Sequence, residues 1–167
     1  MIRKSRLQPA VLDEMKTRSI YWVPLRATAL VAQSGPPFGS DAAKAFPKAT
    51  EDISEAGLCL GLGRWTAAVF HLMRAMEVMV QRLAKRVKIA KVDRVWGMLL
   101  SDIDAAITTM PKGAKRDKWS EARVNLYHVK QAWRNDTMHP KQTYTEEEAW
   151  AIYSAVSTFS RNLATLV

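Results

Sequence analysis

Among the residues equipped for chemistry, one short run gathers the most. It is Trp133-Arg134-Asn135-Asp136-Thr137-Met138-His139-Pro140. Arg134 brings a guanidinium that can clamp two oxygens of a phosphate. His139 brings an imidazole that can take or give a proton near neutral pH. Pro140 cannot easily extend a helix, so it fixes the chain directly after the histidine. Lys130 and Lys141 flank the run and are candidate phosphate contacts. The structural alternative is a hydrogen-bonded helix connection, with Arg134 on the last carbonyls of one helix and His139 packed beside Pro140.

Other candidate chemistry is thinner. The chain has three histidines, His71, His128 and His139, and none stands in a metal-binding spacing. A single cysteine, Cys59, excludes an internal disulfide and a cysteine-based zinc site. It lies between Leu58 and Leu60 and reads as a small core residue. Glu146-Glu147-Glu148 opens a helix, where the dipole favours negative charge, so no metal site is expected there. No cofactor is expected either. The glycines of Gly57-Leu-Cys-Leu-Gly-Leu-Gly63 follow no strand, so a helix–helix turn explains Gly61 and Gly63 better than a phosphate loop does.

The elements that must hold these residues read as helices. Thr50 is a possible N-cap for a helix ending near Gly61-Leu-Gly63. Arg64 to Lys88 reads as one long apolar helix, covered on several sides. Its polar exceptions, His71, Arg74, Glu77, Gln81, Lys85 and Lys88, follow a narrow stripe. A shorter helix runs from Val95 to about Met110, ended by Pro111-Lys-Gly113. Trp119, Ala122, Leu126, Val129 and Trp133 step by three and four, so one face of the next helix is buried. The last helix starts at Thr145, whose spacing to Glu148 fits a capping box. No convincing strand or internal repeat is present.

The fold expected is therefore all-α, a helical bundle of about five main helices with an N-terminal arm. Residues 1–40 form the arm and 41–167 the bundle, separated by Ser34-Gly-Pro-Pro-Phe-Gly-Ser40. Within the arm, Gln8 to Arg18 could form a short helix with Pro9 in its first turn. The arm is read as a packed extension or a tail.

The segment from about Thr50 to Val167 resembles the HEPN superfamily, named for higher-eukaryote and prokaryote nucleotide-binding domains. The resemblance rests on the long helix with His71-Leu-Met-Arg-Ala-Met-Glu77, on Arg134, four residues, His139 with polar Asn135 after the arginine, and on the amphipathic helix that follows. Arg64 to His71 and Arg123 to His128 also have the family's spacing of four to six residues. Each lacks the polar neighbour and falls in a helix with an ordinary packing role. The family motif marks metal-independent endoribonucleases, commonly toxins or defence proteins that act as dimers. Other members are non-catalytic binding modules.

The resemblance implies that Arg134 and His139 are catalytic and Asn135 orients them, with Arg74 and Glu77 in supporting roles on the long helix. The simpler reading of Arg74 and Glu77 is an ion pair, and of His71 a satisfied core histidine. RNA cleavage without a metal uses the ribose 2′-OH as nucleophile, so it needs a base, an acid and a cation for the phosphate. One catalytic histidine per chain supplies one proton-transfer group. A two-fold homodimer would pair two copies of Arg134 and His139 around one cleft.

Composition fits such partners. Of 167 residues, 25 are Lys or Arg and 16 Asp or Glu, a net charge of +9 with pI near 9.9. That surplus favours an anionic partner, whether RNA or an acidic antitoxin or regulator. The basic residues outside the motif form two groups, Arg82 to Arg94 and Lys112 to Lys118. The aromatics fall mostly on buried faces, so no stacking platform for single strands is expected. No secretory signal or membrane span is expected, and a cytoplasmic location without membrane association is the default.

Overall fold

A computed structural model describes residues 4–19, 21–93, 96–133 and 143–167. Among these residues there is no strand, so the fold is all-α as expected. They form eight α-helices rather than about five. These are α1 (Lys4–Lys16), α2 (Thr28–Val31), α3 (Ser40–Ala45), α4 (Thr50–Gly61), α5 (Trp65–Arg86), α6 (Trp96–Thr108), α7 (Ala114–Trp133) and α8 (Glu146–Ala164). α2 and α3 have four and six residues, too few turns to leave a periodic signal in the sequence. α1 begins earlier than the proline suggests, so Pro9 lies inside it rather than in its first turn.

α5 is the axis of the bundle. Ala68, Val69, Leu72, Ala75, Met76, Met79, Val80, Leu83 and Ala84 are all fully buried on it. They cover about half the circumference, as expected for a helix packed on several sides. α4 turns back along α5 through a tight connection. There Gly63 takes φ +69°, and the amides of Gly63 and Arg64 donate to the carbonyls of Leu60 and Cys59. A glycine suits that left-handed position.

Gly61 has a different reason to be glycine. A Cβ there would lie 2.1 Å from Val31 Cγ2, because α2 crosses α4 at that point. Part of the N-terminal arm is thus packed on the bundle. Arg26 strengthens the attachment through an ion pair with Glu146 and a stack 4.5 Å from the Trp150 ring.

α8 runs parallel to α5. The Tyr144 amide donates to Thr66 Oγ1 at 3.0 Å at one end, and Arg86 Nε donates to the Leu166 carbonyl at 3.2 Å at the other. The start of α8 is fixed by the expected capping box. The Glu148 amide donates to Thr145 Oγ1, and the Thr145 amide donates to the Glu148 carboxylate. α7 lies antiparallel to α8, since Lys118 and Glu121 share a groove with Asn162 and Leu166. α6 closes the side, with Leu99, Ile103 and Ile107 in the core. No helix among the described residues is long and apolar enough to cross a membrane.

Candidate nucleic-acid interface

In sequence, the motif segment lies between the end of α7 and the start of α8. α7 ends at Trp133, and Tyr144 is held to Thr66 at the first turn of α5. Arg134, Asn135, His139 and Lys141 lie outside the described residues. Lys130 belongs to the last turn of α7.

The supporting residues on α5 are described in full. Arg74 is half-exposed, and its Nε lies 3.2 Å from Asp52 Oδ1 on α4. Glu77 is exposed and accepts a long hydrogen bond from Gln81 Nε2 at 3.4 Å. No ion pair joins Glu77 to Arg74 among the described residues. The charge partner of Arg74 is therefore across the helix hairpin rather than one turn along.

Asp52 also holds His71. The imidazole Nδ1 lies 2.9 Å from the same Oδ1, with the His71 side chain 25% exposed and that of Asp52 12% exposed. A carboxylate only accepts, so Nδ1 donates and Nε2 is the nitrogen left for other work. His71 is thus a satisfied histidine, yet its ring is not sealed in the core. Phe70, one residue earlier, is 47% exposed.

Asp52 is the member that sequence reasoning missed. It sits in the first turn of α4 beside Glu51, where acidic residues are common for dipole reasons alone. Its separation from His71 is 19 residues and becomes meaningful only once the Leu62–Arg64 turn folds α4 back on α5.

Packing accounts for Cys59 and for the neighbourhood of Arg123. Cys59 is partly buried. Burial raises its thiol pKa and Glu55 adds to the rise, while Arg64 lowers it, so the thiolate is disfavoured. A cleft of about 450 Å³ between α6 and α7 is lined by Leu100, Ile103, Val124 and Leu126, and the Arg123–Asp104 ion pair crosses it. Arg123 is thereby committed to packing α7 on α6. No group of three His, Cys, Asp or Glu that could hold a metal occurs among the described residues.

Comparison with family models, with curated proteins and with solved structures returned no match to this chain.

Proposed function

We propose that this chain is a HEPN-type, metal-independent endoribonuclease that acts as a homodimer, with Arg134 and His139 at its centre. The observation that carries the reading is the position of the motif. It occupies the connection between α7, ending at Trp133, and the capped start of α8 at Thr145. That is the junction the family resemblance requires. The net charge of +9 supports an anionic substrate.

In this mechanism a guanidinium neutralises charge building on the phosphate oxygens. One imidazole takes the 2′-OH proton and another protonates the leaving 5′-oxygen. The products are a 2′,3′-cyclic phosphate and a 5′-OH. An acidic antitoxin or regulator is the partner whose charge would complement the basic surface.

The test is cleavage of RNA by purified protein in EDTA. Wild type should cut. Arg134→Ala and His139→Ala should each lose at least a hundredfold in rate, about the scale of one proton-transfer or oxyanion group, with unchanged thermal unfolding. Intact RNA across several substrate sequences would sink the catalytic reading. A non-catalytic RNA-binding module is the second reading, favoured by basic clusters remote from the motif. A salt-sensitive mobility shift without product would select it.

A further inference from the structure

Among the described residues, ten large apolar or aromatic side chains stand far out in water, and six of them lie between Val11 and Leu25. Val11, Leu12 and Met15 are about half-exposed on α1. At 100° per residue they share an arc of about 100°. Such a face is ordinarily covered, yet α1 makes no extended contact with another helix among the described residues. Tyr21 follows, and then Trp22 and Leu25, each 91% exposed. Directly after them the chain is tied down, with Ala27 buried beside Gly61 and Leu30 beside Gly57. The exposed run is thus the part of the arm that leads away from the bundle.

The same run is basic. From Lys4 to Leu25 the sequence holds Lys4, Arg6, Lys16 and Arg18 against Asp13 and Glu14. Both acidic residues meet basic neighbours of the arm itself, in the exposed pairs Lys16–Asp13 and Arg18–Glu14. Pairs of that kind hold weakly in water, so these cations can turn to a stronger anionic partner.

The chemistry of the partner follows from both properties. RNA would suit Tyr21 and Trp22, but a phosphodiester chain offers nothing to Val11, Leu12, Met15 or Leu25. A second copy of the chain carries the same net charge of +9, and like charge opposes its approach to a basic arm. An anionic bilayer meets every feature. Its headgroups attract Lys and Arg, its acyl boundary accepts aliphatic side chains, and Tyr and Trp settle at headgroup depth.

We propose that the arm from Lys4 to Leu25 docks on an anionic lipid surface. α1 lies flat at the interface, with Val11, Leu12, Met15, Trp22 and Leu25 entering the headgroup–acyl boundary. No helix among the described residues can cross a bilayer, so the expectation of no membrane association is revised for the surface alone. The proposal is independent of the ribonuclease reading.

The experiment is co-sedimentation of the full chain with vesicles, without RNA. One set is phosphatidylcholine with phosphatidylglycerol, the other phosphatidylcholine alone. Wild type should pellet with the anionic set, and less so as salt rises. Trp22→Ala should lower the partition coefficient about tenfold, the scale of one large apolar side chain left in water. Leu12→Ser with Met15→Ser should lower it at least as far. Trp22→Phe should keep binding but lose the blue shift of tryptophan emission on adding vesicles. These positions are exposed, so the thermal melts should match wild type.

No binding to the anionic vesicles overturns the proposal. So does equal binding by wild type, Trp22→Ala and the double serine variant, or binding to both vesicle sets that salt leaves unchanged. Should vesicle binding be absent and the arm variants instead weaken an RNA mobility shift or dissociate a dimer in ultracentrifugation, the partner is RNA or a second copy and the lipid surface is rejected. Cleavage of RNA by wild type and by Trp22→Ala judges the ribonuclease reading separately, and equal rates are expected.

Discussion

Ser160 shows how much one atom can cost. It is fully buried on α8, and its Oγ has no hydrogen-bond partner among the described residues. A buried hydroxyl without a partner forfeits its hydration, and alanine has the better helix propensity. Ser160→Ala should therefore raise stability by roughly 0.5–1 kcal/mol, seen as a higher urea midpoint at constant slope. A lower midpoint would show that the hydroxyl is satisfied. Tyr153 makes the complementary point for an ionisable group. Burial against Phe38 and Trp150 pushes its pKa up to about 12. Its neutral form is favoured in the folded state, so its contribution is intact below the unfolded value of about 10. That contribution is lost as pH rises from there through about 12. Tyr153→Phe should flatten the alkaline fall in stability measured by denaturant titration.

At the scale of elements, the crossing of α2 over α4 and the cap of α8 are the two contacts most open to test. Gly61→Ala places a methyl against Val31 and should cost about 1–3 kcal/mol, the usual cost of overpacking. Val31→Ala removes the atom that clashes, so the double variant should recover most of that loss. Simple additivity in a thermal melt would mean that α2 does not press on α4 there. Thr145→Ala removes the side-chain acceptor of the capping box and should cost about 1 kcal/mol. Adding Glu148→Ala should cost less than its separate effect, because both residues serve the same box.

Charge is distributed over the whole molecule in a way that only the packed helices reveal. Arg86 meets Leu166 at the far end of α8, and Lys118 lies beside Asn162 and Thr165. Arg86 and Lys118, one from each basic group, therefore lie at the same end of the bundle. Trp133, the residue before the motif, is at the other end of α7, a helix of 20 residues and so about 30 Å long. RNA affinity should fall with salt, by a slope of about −0.7 per phosphate neutralised on a single strand. Lys112→Gln, Arg116→Gln and Lys118→Gln together should reduce that slope for a long RNA. They should leave it unchanged for an oligonucleotide too short to span the bundle. An equal effect on both lengths would place the remote cluster outside the binding track.

Much of this architecture is written in local pattern. The steps of Trp119, Ala122 and Leu126 along α7, and the Thr145–Glu148 box, are short-range features that need no tertiary partner to be recognised. The all-α class, the helices α4 to α8 and the capped start of α8 follow from such features. Thr50, expected as the N-cap of α4, is instead its first residue and donates its hydroxyl to the Phe46 carbonyl. The sequence likewise singles out Arg134 to His139 by residue type, since a polar corner between two strong helices is a local property.

The union of Asp52 with His71 and Arg74 was decided by the tertiary structure, because a contact across a hairpin depends on the turn and on which faces meet. The exposure of Phe70 and the placing of Arg86 and Lys118 at one end arose in the same way. Periodicity tells which side chains share a face. Only packing decides which face another helix covers, and which is left to water.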